Sequence, residues 1–166
     1  MRPEQSLEQV TGILVREEIP FEFHEDKKEI GIGRRRAIVF LSTAEDRGTC
    51  VVNLQADMAV GIDLTPEVKA GVYFWANERN ISEPIGRHVV HQNQPNAEGE
   101  VATAWATVEW CLDSEGLTSR QLIDTVNRLL DQSERLGGEL VSLFGGQTVG
   151  QVQDELDDLQ GRPPTQ

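Results

Sequence analysis

The sequence at residues 37–54, AIVFLSTAEDRGTCVVNL, decides the fold class. Apolar and β-branched residues fill its two ends, 37–41 and 49–54, and a polar segment at 43–48 separates them. This pattern is typical of two antiparallel strands joined by a turn. The centre of the protein is therefore predicted to be an antiparallel sheet.

A second pair of strands is predicted before this hairpin. Phe21 and Phe23 alternate with polar residues, Ile30 and Ile32 alternate with glycines, and residues 25–28 form a charged turn between them. Such alternation places the apolar side chains on one face of a sheet. We expect four short antiparallel strands in this half of the chain.

Two more strand-like segments follow in the second half, at residues 88–91 and 100–112. In the longer segment the even positions form one continuous apolar face, made of Ala102, Ala104, Ala106, Val108, Trp110 and Leu112. The odd positions mix apolar and polar residues, among them Thr103, Trp105 and Thr107. We expect this second face to be partly exposed or covered by a partner.

A first helix is predicted at residues 6–18, where apolar residues recur at three- and four-residue spacing. Ser6 with Gln9 matches a capping box, because a hydroxyl and a side-chain amide can satisfy free backbone donors at a helix start. Pro20 is expected to end this helix.

A middle helix is predicted to start at Thr65, which can cap it, with Pro66 at the first helical position. Val72 and Trp75 share one face of this helix, while Phe74 points elsewhere. The helix is therefore apolar nearly all round, and it is expected to bury more than one side. A subunit interface would explain this, and so would a position between the sheet and a loop.

The most regular helix is predicted to start at Thr118, which forms a capping box with Gln121. Leucines, isoleucine and valine then follow helical spacing, and Gly137-Gly138 is expected to end the helix. A short apolar segment at residues 140–144 would close the domain.

Residues 147–166 depart from this pattern and are predicted to be an acidic, partly disordered tail. Val149, Val152, Leu156 and Leu159 follow helical spacing between acidic residues, which predicts a short amphipathic helix. That helix could dock on its own domain, on a second subunit or on a partner. We therefore divide the chain into a domain at residues 1–146 and a tail at 147–166.

The composition favours one compact, strongly acidic domain. The chain has 166 residues, with 28 acidic and 15 basic side chains and a formal net charge of −13. Such a charge repels phosphate backbones and anionic lipids, so we expect no nucleic-acid partner and no membrane partner. The acidity either serves solubility alone or favours a partner with basic or exposed apolar segments.

The chain is expected to be cytoplasmic. Residues 1–18 are polar and acidic and do not resemble a signal peptide, and no apolar run is long enough to span a membrane. Cys50 and Cys111 lie in apolar or β-like runs, so we expect both to be reduced, buried thiols.

No group of residues predicts catalysis. His88 and His91 are three apart on a predicted strand, so they point to opposite faces and cannot share a metal there. We find no paired Cys-x-x-Cys, no His-Glu-x-x-His and no nucleophile elbow. We therefore predict no catalytic residue, no metal site and no cofactor, and the protein is not expected to be an enzyme.

The segment Gly31-Ile32-Gly33 before three arginines resembles a phosphate-binding loop only superficially. A phosphate cradle needs a glycine loop that opens a helix, whereas strands are predicted on both sides of these glycines. The arginines at 34–36 are expected to be a solvated turn or ion-pair partners of acidic neighbours.

From Tyr73 onward the chain resembles the YbjN family. The residues that carry the resemblance are Asn77-Glu78-Arg79-Asn80 at a helix end, Glu98-Gly99-Glu100-Val101 before a long strand, and residues 115–122, EGLTSRQL, at a helix entry. The resemblance implies an α+β fold similar to type III secretion chaperones, with the order helix–strands–helix–strands–helix. It also implies a dimer that binds segments of other proteins, and the family has been labelled as sensory-transduction regulators without catalytic residues.

These observations predict a homodimeric, chaperone-like module that binds a protein or peptide client. Its dimer contact or client groove is expected at the middle helix and the long strand, at Val72, Phe74, Trp75, Thr103, Trp105 and Thr107. One alternative is a regulatory adaptor that contacts a folded signal-transduction protein. Another, which the missing catalytic pattern disfavours, is an enzyme or a small-ligand carrier.

Overall fold

The computed structural model describes residues 2–34, 36–95 and 101–159. Within them the helices are α1 (Pro3–Arg16), α2 (Pro66–Ser82), α3 (Ser119–Phe144) and α4 (Val149–Leu159). The strands are β1 (Glu22–His24), β2 (Glu29–Arg34), β3 (Ala37–Asp46), β4 (Thr49–Asp63), β5 (Arg87–Asn93), β6 (Thr103–Asp113) and β7 (Gln147–Thr148). The predicted α+β class, an antiparallel sheet with helices packed against it, is confirmed.

The strands form one sheet in the order β1-β2-β3-β4-β6-β5, with β7 beside β4, and each described pair is antiparallel. The hairpin predicted from residues 37–54 is present, with Asp46 opposite Thr49. Its turn uses the left-handed region at Arg47 and Gly48, where φ is 51° and 81°. Glycine suits the second position because it has no Cβ to clash there.

Strand β4 is longer than the sequence pattern predicts. The apolar run ends at Leu54, whereas the strand continues to Asp63 and contains two irregularities in its register. This extension pairs with β6, from Leu54 opposite Trp110 to Asp63 opposite Thr103. The pairing joins segments that are distant in the sequence, so a local pattern does not reveal it.

One face of the sheet packs against α1, α2 and α3. Buried and half-buried residues alternate along β3 and the first part of β4. The buried ones share one apolar cluster with Leu14 of α1, Val72 of α2 and Leu129 of α3. The opposite face, which we call the outer sheet face, keeps most of its side chains half-buried or exposed.

Helix α1 begins at Pro3, earlier than predicted. Gln5 Oε1 accepts a hydrogen bond from the Arg2 backbone N–H at 3.0 Å, which satisfies a donor at the helix start. The predicted capping box of Ser6 and Gln9 is wrong, because both residues lie inside the helix and Ser6 is buried.

Helix α3 starts as predicted but does not end at Gly137-Gly138. The capping box is confirmed, because Thr118 Oγ1 accepts from the Gln121 N–H at 3.2 Å and Gln121 Oε1 accepts from the Thr118 N–H at 3.0 Å. The helix continues through both glycines. A Cβ at Gly137 would lie 2.3 Å from the Met58 carbonyl oxygen, so this glycine allows α3 to approach the sheet closely.

The continuous apolar face predicted for β6 ends before Trp110. Its buried members, each 0% exposed, are Ala104, Ala106 and Val108. Trp110 is 36% exposed, because β5 begins opposite Glu109 and does not flank β6 beyond that residue.

The two cysteines differ in accessibility. Both are free thiols, but Cys50 is buried and Cys111 is exposed. The prediction that both are buried is therefore wrong for Cys111, which lies opposite Asn53 on the outer sheet face. Desolvation, followed by the charges of Asp46 and Asp113, raises the pKa of the Cys111 thiol.

The predicted tail contributes two elements to the structure. Strand β7 pairs with β4, with Thr148 opposite Ala59, and the predicted amphipathic helix is present as α4. Arg36 binds Asp154 of α4 at 2.9 Å. Residues 160–166 of the predicted tail lie outside the described residues. In the part of the chain that is described, no helix has the length and apolar character needed to span a bilayer.

Candidate protein-binding surfaces

The N-terminus of helix α2 sets which residues the helix buries. Thr65 Oγ1 accepts a hydrogen bond from the Val68 N–H at 3.3 Å, and Pro66 occupies the first helical position. Both predictions about this helix start are confirmed. From this start the helix turns Val72 and Trp75 towards the sheet and Phe74 towards solvent.

Trp75 of α2 is held against α3 and β5. It is 7% exposed, and its Nε1–H donates to Glu139 Oε1 at 2.8 Å. The His88 ring meets it edge to face at a centroid distance of 5.9 Å, and the Arg79 guanidinium lies 5.6 Å from its ring centroid. These contacts satisfy both the apolar body and the polar atom of the indole.

The charged groups around Trp75 pair with one another. Arg79 binds Glu139 and lies 3.9 Å from Glu83, which also accepts a hydrogen bond from Arg135 at 2.9 Å. The Arg135 hydrogen bond lowers the pKa of Glu83. Desolvation raises the pKa of Glu139, but the bonds from Trp75 and Arg79 outweigh it, so that pKa is also lowered.

His88 is the buried member of this cluster. Asn80 holds its backbone, accepting from the His88 N–H at 2.6 Å and donating to the His88 carbonyl at 3.0 Å. The imidazole Nε2 has no hydrogen-bond partner among the described residues. Burial lowers the pKa of His88, partly offset by the negative charge of Glu83.

Apolar side chains remain exposed where α2 meets the end of α3. Phe74 is 67% exposed and Leu143 is 59% exposed, and with Phe144 they line a cavity of about 440 Å³. A Cβ at Gly71 would lie 2.8 Å from Phe144 Cε1, so this glycine allows the ring to lie against α2. We call the surface formed by Phe74, Leu143 and Phe144 the α2–α3 edge.

The predicted residues of β6 lie on the outer sheet face. The Trp105 ring stacks on His91, with centroids 4.6 Å apart and an interplanar angle of 17°. His91 Nε2 lies 3.1 Å from Thr107 Oγ1 and 3.3 Å from Glu109 Oε1. Thr103 and Trp105 are half-buried, as predicted, whereas Thr107 is fully buried and its hydroxyl contacts His91 and Glu109.

The arginines after the β2 glycines form ion pairs. Arg34 binds Asp131 of α3, and Arg36 binds Asp154 of α4. The predicted role as ion-pair partners is confirmed for these two, whereas Arg35 lies outside the described residues. The glycines themselves lie within strand β2, so no helix N-terminus follows them.

The two histidines of β5 point to opposite faces, as predicted. His88 is buried beside α2, whereas His91 lies on the outer sheet face. Across residues 2–34, 36–95 and 101–159, no three His, Cys, Asp or Glu side chains cluster closely enough to hold a metal ion.

Residues 6–141 match the family model of YbjN, described as "Putative bacterial sensory transduction regulator". The chain belongs to the YbjN family. The family resemblance that residues 77–80, 98–101 and 115–122 indicate is therefore confirmed. In the structure, residues 98–100 lie outside the described residues. The family description names a regulator and no reaction, which agrees with a regulatory or binding role.

A solved structure also resembles this YbjN family member. It is reported as "Crystal structure of YbjN, a putative transcription regulator from E. coli". It shares 12% sequence identity with the chain at a TM-score of 0.43, and the alignment covers 90% of this chain and 93% of the other. No curated protein matches the chain.

The structure separates the predicted site residues of this YbjN family member into three places. Val72 and Trp75 lie in the core, Phe74 lies at the α2–α3 edge, and the β6 residues lie on the outer sheet face. The sequence does not predict Leu143 as a neighbour of Phe74, because Gly137-Gly138 was expected to end α3 before that residue. It also missed Glu139 as the partner of Trp75, for which the sequence carries no local signal.

Proposed function

We propose that the chain is a non-enzymatic module that binds a protein or peptide client in the manner of a chaperone, and that it acts as a homodimer. The observation that carries the proposal is the α2–α3 edge, where Phe74 and Leu143 are both more than half exposed beside one cavity. Apolar side chains grouped in this way gain free energy when a partner covers them.

The setting of Phe74 suits recognition. Trp75 and Val72 fix α2 against the core, so Phe74 projects from a rigid helix. Covering the phenyl ring then costs little side-chain conformational entropy. Aromatic residues are enriched at energetically important positions of interfaces for this reason. Val72 and Trp75 therefore serve the proposed surface as its support.

The outer sheet face supplies a second contact in this proposal. Trp105 and Thr103 remain partly accessible there, and His91 holds the indole in place. We assign the outer sheet face to the contact between two copies. The α2–α3 edge binds the client or contributes to the same dimer contact. Residues 1–146 form the binding domain in this proposal, with 147–166 as its tail.

A cytoplasmic location belongs to the same proposal. The two free thiols, one of them exposed, suit a reducing compartment. The net charge of −13 disfavours nucleic acid and anionic lipid as partners.

The test combines light scattering with three variants. The wild type is expected at twice the 18.5 kDa chain mass. Phe74→Asp and Trp105→Asp place a charge in the proposed contacts and should give monomers or lose client binding. Ile81→Asp is the matched control, because Ile81 is 82% exposed on the same helix but does not line the cavity.

Two results would argue against this assignment. A wild type of monomer mass contradicts the dimer. Folded Phe74→Asp and Trp105→Asp proteins with unchanged mass and unchanged client binding contradict the placement of both contacts.

The family description favours a second candidate, a regulatory adaptor that contacts a folded signal-transduction protein. Proteins recovered with the chain from its host distinguish the two functions. Unfolded client segments support the chaperone-like module, and a folded kinase or response regulator supports the adaptor.

A further inference from the structure

A groove lies between α1 and the first strand of the sheet. Helix α1 packs against β3 and β4, so the edge of the sheet at β1 extends beyond the helix. Leu7 on one side and Phe21 and Phe23 on the other line a cavity of about 800 Å³. Phe23 is 48% exposed in this groove, which we call the α1–β1 groove.

The rim of the α1–β1 groove is acidic. Glu4 and Glu8 line it from successive turns of α1 and Glu25 from the turn after β1, against a single cation, Lys28. Among the described residues none of these three carboxylates forms an ion pair. Like charges one turn apart repel each other on a helix, so a bound cation would relieve this repulsion.

The backbone beside the groove is also available. β1 is the last strand at one edge of the sheet. One of its two sides pairs with β2, and the other side is an edge of the sheet. An edge strand offers its free N–H and C=O groups to an extended chain, while adjacent pockets take alternate side chains.

We propose that the α1–β1 groove binds an extended segment of another protein that combines apolar side chains with lysine or arginine. The apolar walls take the apolar side chains, and the carboxylates of Glu4, Glu8 and Glu25 pair with the cations. The inference rests on the proposed protein-binding function. It adds a second binding site, separate from the α2–α3 edge, and names the chemistry of the segment bound there.

The probes are three fluorescent twelve-residue peptides, and binding is measured by fluorescence anisotropy. One alternates leucine or phenylalanine with lysine, one has glutamate in place of lysine, and one has serine in place of the apolar residues. The first should bind at least about tenfold more tightly than either of the others, a difference of about 1.4 kcal/mol. Its affinity should fall with added salt, because the rim charges are exposed and screened.

Substitution of Gly12 tests the location. A Cβ at Gly12 meets no atom within 4 Å, and the residue lines the groove, so Gly12→Leu should fold and place its side chain in the groove. We expect Gly12→Leu to weaken binding of the apolar–lysine peptide at least about fivefold. Gly12→Ala is the control and should bind as the wild type does, with a more stable helix.

Charge reversal tests the rim. Glu4→Lys with Glu8→Lys should weaken binding of the same peptide at least about tenfold. The control is Glu67→Lys with Asp158→Lys, which makes the same change in net charge at exposed positions of α2 and α4 and should leave binding nearly unchanged.

The inference is overturned by no binding of the apolar–lysine peptide, by equal binding of the apolar–glutamate peptide, or by undiminished binding by Gly12→Leu. A wild-type dimer that Gly12→Leu converts to a monomer also overturns it, because the groove would then hold a second copy. The Phe74 and Trp105 variants report on the proposed function independently, since neither residue lines this groove.

Discussion

The surroundings of Trp75 and the α1–β1 groove contain the same kinds of side chain, aromatic rings beside carboxylates, in opposite states. Around Trp75 the ring is buried and Glu139 and Glu83 bind Arg79 and Arg135. In the α1–β1 groove, Phe23 is half exposed and the carboxylates have no ion-pair partner within the described chain.

The difference separates the acidic residues that stabilise the fold from those that can bind a partner. A carboxylate that is desolvated and paired contributes to stability, and its loss leaves buried donors without acceptors. A solvated carboxylate without a partner contributes little to stability, so its substitution can change binding without unfolding the protein.

The largest expected contrast is between the two aromatic residues. Trp75→Ala removes a buried ring and should lower the free energy of unfolding by about 3–5 kcal/mol. Phe23→Ala should lower it by about 1 kcal/mol or less, because the phenyl ring is already half exposed. Urea denaturation followed by far-ultraviolet circular dichroism measures both, and equal losses would remove the distinction between the two regions.

A smaller contrast is expected between two glutamates. Glu139→Ala leaves the Trp75 indole N–H and the Arg79 guanidinium without their acceptor and should lower the free energy of unfolding by about 1–2 kcal/mol. Glu8→Ala should change it by less than about 0.5 kcal/mol, since Glu8 forms no ion pair with any of the described residues. The same denaturation assay compares them, and a larger loss for Glu8→Ala would contradict the assignment of structural and free carboxylates.

The smallest effect is a pH dependence that belongs to the Trp75 region. The pKa of His88 is lower in the folded protein than in the unfolded chain, where it is about 6.5. As pH falls below about 6.5, His88 of the unfolded chain becomes protonated while folded His88 stays neutral. The free energy of unfolding therefore decreases, by at most about 1.4 kcal/mol per pH unit, until the pH reaches the folded pKa.

At lower pH, Glu83 and Glu139 decrease the free energy of unfolding further. Their folded pKa values are lowered, so the stability that they contribute is present above their ordinary pKa of 4.5 and is lost as pH falls through the folded values. Denaturation of wild type and His88→Gln between pH 7 and pH 5 tests the histidine. An identical slope in the variant would assign the effect to other groups.

Local sequence signals predicted most elements of the fold. The hairpin of β3 and β4, the capped starts of α2 and α3, the alternation in β1 and β2 and the short acidic helix α4 each depend on neighbours in sequence. The end of α3 was predicted wrongly, because Gly137 is a helix-ending signal in the sequence and a close contact with Met58 in the structure. The sequence does not contain that distinction locally.

The candidate surfaces were predicted less completely. Phe74 and Trp105 were identified from their apolar neighbourhoods, and both remain accessible. Val72 and Trp75 belong to the same apolar run as Phe74, but helix orientation buries them. Phe23 was predicted only as a strand residue, since its exposure depends on where α1 packs across the sheet.

The sequence alone determined the class of the protein, the helix starts, the strand alternation and the acidic charge, because periodicity, capping and composition act over a few residues or over the whole chain. The tertiary structure decided which strands lie at the edges, how far β4 and α3 extend, and which charges are paired. These depend on contacts between distant segments, such as β4 with β6 and Trp75 with Glu139, whose free energies appear only when the helices pack on the sheet.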